Sequence, residues 1–220
     1  MTITLRAGVL NSGIQQNGTE FLTVDTSNNA TLSNNLAVTG TLTATGAITG
    51  SSTVAGSTGI LYPLTSGTAV ATTSGTSIDF TSIPSWVKRI TVMFNGVSTS
   101  STSQPIVQVG SGSVITTGYT SIANYAGTPG TGSTSATSGL LLGAANGATE
   151  LRYGAMIINL LGSNTWVASA SAAVSEGASL YGILAGGVTP ALSGALDRVR
   201  ITTVNGTDTF DAGSVNILYE

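Results

Sequence analysis

No stretch of this chain repeats its apolar residues at sustained helical spacing, which leaves β-structure as the ordered fold open to it. In place of helices it offers short runs in which apolar and polar residues alternate, closed by glycine or by Asn-Gly turn signals. The clearest is Trp86-Val87-Lys88-Arg89-Ile90-Thr91-Val92-Met93-Phe94. Trp86, Ile90, Val92 and Phe94 fall on one face of such a strand, Arg89 and Thr91 on the other. Asn95-Gly96 then predicts a turn. Ile106 to Val109 and Val114 to Thr117 flank a Gly-Ser-Gly-Ser turn and predict a hairpin. Residues 126–139 are nearly all Gly, Ser, Thr and Ala and predict a long loop.

Further on, residues 153–161, a Gly162-Ser163-Asn164 turn and residues 166–168 predict a long hairpin whose first strand is apolar on both faces. Tyr181 to Ala185 is another apolar run. Val199 to Val204 leads into Asn205-Gly206, the strongest short-range hairpin signal. Val215, Ile217 and Tyr219 share one face of a closing strand, which is expected to pair inside a sheet because so apolar an edge invites aggregation. Strands at this spacing predict a β-sandwich or jelly roll over residues 61–220. Residues 1–60 read as a separate region, with strand-like runs at Thr2 to Leu5 and Phe21 to Val24.

Between residues 30 and 60 the pattern changes. Gly40 and Gly50 stand ten apart, as do Gly46 and Gly56, and each short unit between them carries one or two aliphatic side chains. Units this small bury no core alone and must stack on copies of themselves. A parallel trimer lets Leu36, Val38, Leu42, Ile48 and Val54 meet at an axis, as an intertwined shaft. A flexible Gly/Ser/Thr linker has the same composition; the regular apolar spacing favours the shaft. The fold class expected is therefore all-β, an N-terminal intertwined β shaft followed by a jelly-roll-like β-sandwich tip.

Composition excludes several function classes. Only 7% of the residues are charged, against roughly 25% in ordinary globular proteins. A mean hydropathy of +0.35 argues against disorder. The six Lys and Arg are scattered through a chain of net charge −3, so no basic stripe exists for nucleic acid or anionic lipid. No apolar run is long enough to span a membrane as a helix, and the first residues lack the apolar core of a signal peptide. With neither His nor Cys there is no Ser-His-Asp triad, no thiol chemistry and no His or Cys metal site. No cofactor is expected, and the chain reads as a non-enzyme. The chemistry left open is a carboxylate pair of the glycosidase kind, drawn from Asp79, Glu150, Glu176, Asp197, Asp208 and Asp211. Asp208 and Asp211 lie beside a turn signal, where Asp is an ordinary turn former.

Sugar binding needs an aromatic face in water. Trp86 and Trp166 begin apolar strands and are expected in the core. Tyr119 and Tyr125 flank the long polar segment and are the candidate receptor-binding residues. Arg89, Arg198 and Arg200 alternate with apolar residues and are expected on solvent faces or in salt bridges to Asp197 or Glu176.

Three passages carry a family resemblance. Residues 36–50 resemble the collar and shaft repeats of bacteriophage tail fibres. Residues 83–98, Ile-Pro-Ser-Trp-Val-Lys-Arg-Ile-Thr-Val-Met-Phe-Asn-Gly-Val-Ser, resemble a recurring C-terminal domain of phage tail-fibre-like proteins. Residues 208–220 are similar to the way such proteins end. The three passages cover about a fifth of the chain. It implies a virion protein: a homotrimer with a jelly-roll-like tip, held to other virion proteins through its N-terminal region and attaching to a host surface glycan. A capsid decoration or head-fibre protein is the alternative, and a polysaccharide depolymerase a distant third.

Overall fold

The computed structural model describes the strand backbones of residues 14–61 and, with side chains, residues 64–128, 130–143 and 147–220. Its strands are β1 (Ile14–Gln16), β2 (Thr19–Val24), β3 (Ala30–Leu32), β4 (Val54–Gly56), β5 (Gly59–Leu61), β6 (Thr65–Ser66), β7 (Val70–Ala71), β8 (Ile78–Thr81), β9 (Arg89–Thr99) and β10 (Pro105–Ser111). They continue with β11 (Ser113–Val114), β12 (Thr120–Gly127), β13 (Gly130–Ala136), β14 (Leu140–Leu141), β15 (Leu151–Gly162), β16 (Thr165–Glu176), β17 (Ser179–Val188), β18 (Arg198–Thr203) and β19 (Phe210–Tyr219). The described residues contain no helix, and the protein is all-β.

The chain divides into two compact units, Met1–Ser52 and Thr53–Glu220. In the first, β1, β2 and β3 form an antiparallel sheet in sequence order. Of the expected axis residues, Leu36, Val38, Leu42 and Ile48 lie outside the described residues. Val54 opens β4, where its backbone pairs with Leu61 of β5. The division expected between residues 60 and 61 falls inside β5.

The second unit is a β-sandwich of unequal layers. The larger sheet runs β13-β12-β17-β16-β15-β9-β19-β6, with β7 also on β19; the smaller runs β11-β10-β18-β8, with β14 also on β10. Every pairing is antiparallel. Alternation decides what the sandwich buries. From the larger sheet come Ile90, Val92 and Phe94 of β9, Met156 and Ile158 of β15, Trp166 and Ala170 of β16, and Val215 and Ile217 of β19. They close on Ile78 and Phe80 of β8, Val107 and Val109 of β10, and Val199 and Ile201 of β18. Full burial of one such aliphatic or aromatic side chain stabilises the fold by about 1.5–3 kcal/mol.

The structure corrects four local expectations. Residues 126–139 are not a loop: β12 and β13 pair without a break from Ser121↔Ala136 to Gly127↔Gly130. Small residues hide a strand from pattern reading, because the ladder bonds are made by backbone alone. Asn95-Gly96 is not a turn. β9 runs through it as a bulge, with Gly96 at φ 65° and register shifts against both neighbours. Asn205-Gly206 does not close a hairpin, since β18 and β19 lie in different sheets and the chain crosses between them there. Finally, β15 is buried on one face only; Ile157 and Leu161 point outward. The expected Gly162-Ser163-Asn164 turn is as read: Ser163 and Asn164 both have positive φ, the geometry of a tight two-residue hairpin.

Candidate interaction surface

The pleat that sends Met156 and Ile158 inward sends their neighbours out, and among the described residues nothing covers them on the larger sheet. Register places the outward residues in rows. One reads Ile122 (β12), Gly186 (β17), Ser169 (β16), Ile157 (β15), Thr91 (β9); the next reads Asn124, Leu184, Ser171, Ala155, Met93. A third reads Ala126, Gly182, Ala173, Tyr153, Asn95. Down β16 the outward positions are Val167, Ser169, Ser171, Ala173 and Ser175, which form a shallow floor. Leu180 and Leu184 of β17 rise on one side of it, and Tyr153, Ile157 and Leu161 of β15 on the other. These side chains and Ile122 are between 40% and 70% exposed. Six of the nine large exposed apolar residues of the described chain thus share one face.

Charge is distributed the opposite way. No outward position of β12, β13, β15, β16 or β17 carries a charged side chain. The outer face of the smaller sheet carries ion pairs instead. Arg200 clasps Asp79 in a fork, Nε to Oδ1 at 2.7 Å and Nη2 to Oδ2 at 2.9 Å. Arg198 Nε donates to Asp197 Oδ1 at 2.7 Å. That bond, with a second from the Gly112 N–H, holds the Asp197 carboxyl below its ordinary value. On the larger sheet the charged pair Arg89–Glu220 stands at one end, outside the five strands just named.

A buried polar cluster backs the far part of this sheet. Glu150 and Arg152 are ion-paired with side chains only 2% exposed, and the Tyr181 hydroxyl donates to the Glu150 carboxylate. Ala172, Val174, Tyr181 and Ile183 form a small apolar cluster there, with Tyr125 packed on it. Burial holds the Arg152 guanidinium below its ordinary value, against the pull of Glu150. Burial and the bond to Glu150 push the Tyr181 hydroxyl up. The cluster joins the segment before β15 to β17 and reads as an anchor: the two charges are paired with each other inside the fold.

The candidate receptor residues sit elsewhere than expected. Tyr119 is 1% exposed. Its hydroxyl accepts from the Val109 N–H at 2.9 Å and donates to the Ile115 carbonyl at 2.9 Å, so the ring is a core strut and offers no face to a ligand. Burial pushes its pKa up to about 12. Tyr125 points inward from β12, with its ring centre 5.6 Å from that of Tyr181 and Gly132 close against it. Trp166 is in the core, and Trp86 is half-buried against Tyr219. Among the candidate carboxylates, Asp79, Glu150 and Asp197 are occupied by arginines. Asp208 accepts from the Ser103 N–H at 2.9 Å and from Asn205 Nδ2 at 2.7 Å, which is turn chemistry. No grouping of three or more potential metal ligands occurs among the described residues.

Sequence reasoning passed over Leu180, Leu184, Ile157 and Tyr153. Their signal was present in runs such as Leu180-Tyr181-Gly182-Ile183-Leu184, apolar on both faces where one face would suffice for a half-buried strand. A scan against family models, a search of curated proteins and a search of solved structures each found no match.

Proposed function

We propose that the chain is a structural subunit of a virus-particle appendage, a homotrimeric fibre of the tail-fibre kind that attaches the particle to its host. The observation that carries this reading is the outer face of β12, β13, β15, β16 and β17 in the larger sheet, which carries no charge and exposes leucines and isoleucines. Six large apolar side chains exposed on one sheet face are more than scattered surface hydrophobics, and such a concentration marks contact with another macromolecule. The resemblance of residues 36–50, 83–98 and 208–220 to tail-fibre segments supports the same reading. Several weak sites on one particle gain avidity without any new contact.

Light scattering on the full chain tests the assembly: the expected solution mass is three times that of one chain, and a monomer at all concentrations sinks the fibre reading. Antibody labelling of intact particles tests the placement. Label on tails is the expected result; label confined to heads replaces the tail fibre with a decoration or head-fibre protein.

A further inference from the structure

We infer that the outer face of the larger sheet is a self-association surface, on which the β17 ridge of one copy seats over the β16 floor of another. The inference rests on the oligomeric reading above and assigns its residues.

Shape is the first reason. β15 and β17 flank β16 at roughly 4.8 Å each, so the two ridges stand about 10 Å apart with only Val167, Ser169, Ser171, Ala173 and Ser175 between them. That gap accepts one row of leucine-sized side chains. The row available is next door: Leu180 and Leu184 project from β17, and Gly182 between them is open, with nothing within 4 Å of where its Cβ would be. The face thus carries both a ridge and a groove that fits it, so the ridge of each copy enters the groove of the next and three copies close the ring. Serines and alanines on the floor also let two sheets approach without leaving bulky polar groups unpaired.

Charge is the second reason. In contact between copies, any charged residue in the shared patch risks facing its own like. The five strands β13, β12, β17, β16 and β15 carry no outward charge at all, while Asp79, Asp197, Arg198 and Arg200 lie on the opposite sheet. A foreign protein chosen by charge has nothing here to grip. A glycan would require an exposed aromatic platform with polar neighbours, and Tyr153 is the one outward aromatic on these strands.

Area is the third. Five strands at about 4.8 Å and the ten residues of β17 at about 3.3 Å outline roughly 800 Å² in projection, of the order of the roughly 800 Å² of accessible surface per partner in a standard stable interface.

The test uses the full chain and three variants in light scattering and sedimentation: Leu184→Lys on the ridge, Ser171→Glu on the floor, and Val204→Lys, an exposed apolar residue away from the face. Leu184 and Ser171 point into solvent, so both substitutions leave the sandwich folded, which circular dichroism checks. Leu184→Lys and Ser171→Glu are expected to weaken association on the order of 100-fold each, because each buries an unpaired charge at the contact, while Val204→Lys matches the parent chain. An oligomer indifferent to both face variants overturns the assignment and leaves the fibre reading standing, with assembly carried by other residues. The same indifference joined to lost adsorption on host cells reassigns the face to the receptor. A parent chain that is monomeric throughout overturns both.

Discussion

Single side chains here hold the sandwich together by polar bonds that aromatic bulk alone would not supply. Tyr119 is the clearest. Its hydroxyl bridges the end of β10 to the residues that follow β11, and burial raises its pKa from 10 to about 12. The protonated hydroxyl is therefore favoured in the folded state. Its contribution is fully present below pH 10, where the unfolded tyrosine is also protonated, and is lost as pH rises from 10 to about 12. Two units correspond to about 2–3 kcal/mol. Chemical denaturation at stepped pH is expected to show this alkaline loss, and Tyr119→Phe to flatten it. The variant is also expected to be less stable at neutral pH by about 1–3 kcal/mol, since the Val109 N–H loses its acceptor. Arg152 and Glu150 belong to the same category of buried polar strut. In sequence Glu150 stands only among the candidate carboxylates and nothing marks Arg152 as its sealed partner, because burial of a charge depends on which strands later cover it.

Elements of this fold are defined less by their side chains than by where the backbone departs from ideal pleat. The β9–β19 pair shows it. Gly213 has φ 92°, and a Cβ there would lie 2.3 Å from the Gly96 carbonyl oxygen and 2.6 Å from that of Asn95. Two bulges face each other at this point, and glycine is the residue that lets them close. Gly213→Ala is expected to cost at least about 3 kcal/mol, or to prevent folding. Gly206→Ala, at φ 69° with nothing within 4 Å, meets only the intrinsic left-handed penalty and is expected to cost about 1 kcal/mol. Urea titration of the two variants makes the comparison. The same elements show what the sequence could disclose. Ile90, Val92 and Phe94, or Val215 and Ile217, announce their faces through strict alternation, and the structure buries them as read. Gly130–Ala136 announces nothing, since its side chains neither fill a core nor repel one, yet it completes seven backbone pairs. Asn95-Gly96 and Asn205-Gly206 are identical dipeptides that became a bulge and a crossover. Dipeptide chemistry supplies the positive φ, but only the partner strand decides what that φ is used for. The outward face was legible as surplus hydrophobicity; its position was not, because outward and inward are settled by which sheet gains a covering layer.

At the scale of the molecule, the sandwich is lopsided: a small charged sheet covers the middle of a large one whose β12, β13, β15, β16 and β17 carry no outward charge. Protection follows this layout. Backbone amides of β9, β15, β16 and β19 lie between two paired neighbours and over the main core, whereas β13 is an edge strand with half of its backbone groups unpaired by the sheet. Hydrogen exchange on the folded protein is expected to be slowest in the first set and fastest in β13, β6 and β7; self-association through the outer face would slow β16 and β17 further. The place of β9 also governs how the chain reaches its fold. Both of its neighbours come much later in sequence, Leu151–Gly162 on one side and Phe210–Tyr219 on the other. During synthesis, Ile90, Val92 and Phe94 are in the open long before either partner exists, on a strand with two bare edges. Pairings over such separations form slowly. The newborn chain is thus at its most adhesive before it is complete, and crowding several growing copies together would set them competing for the same unpaired strand.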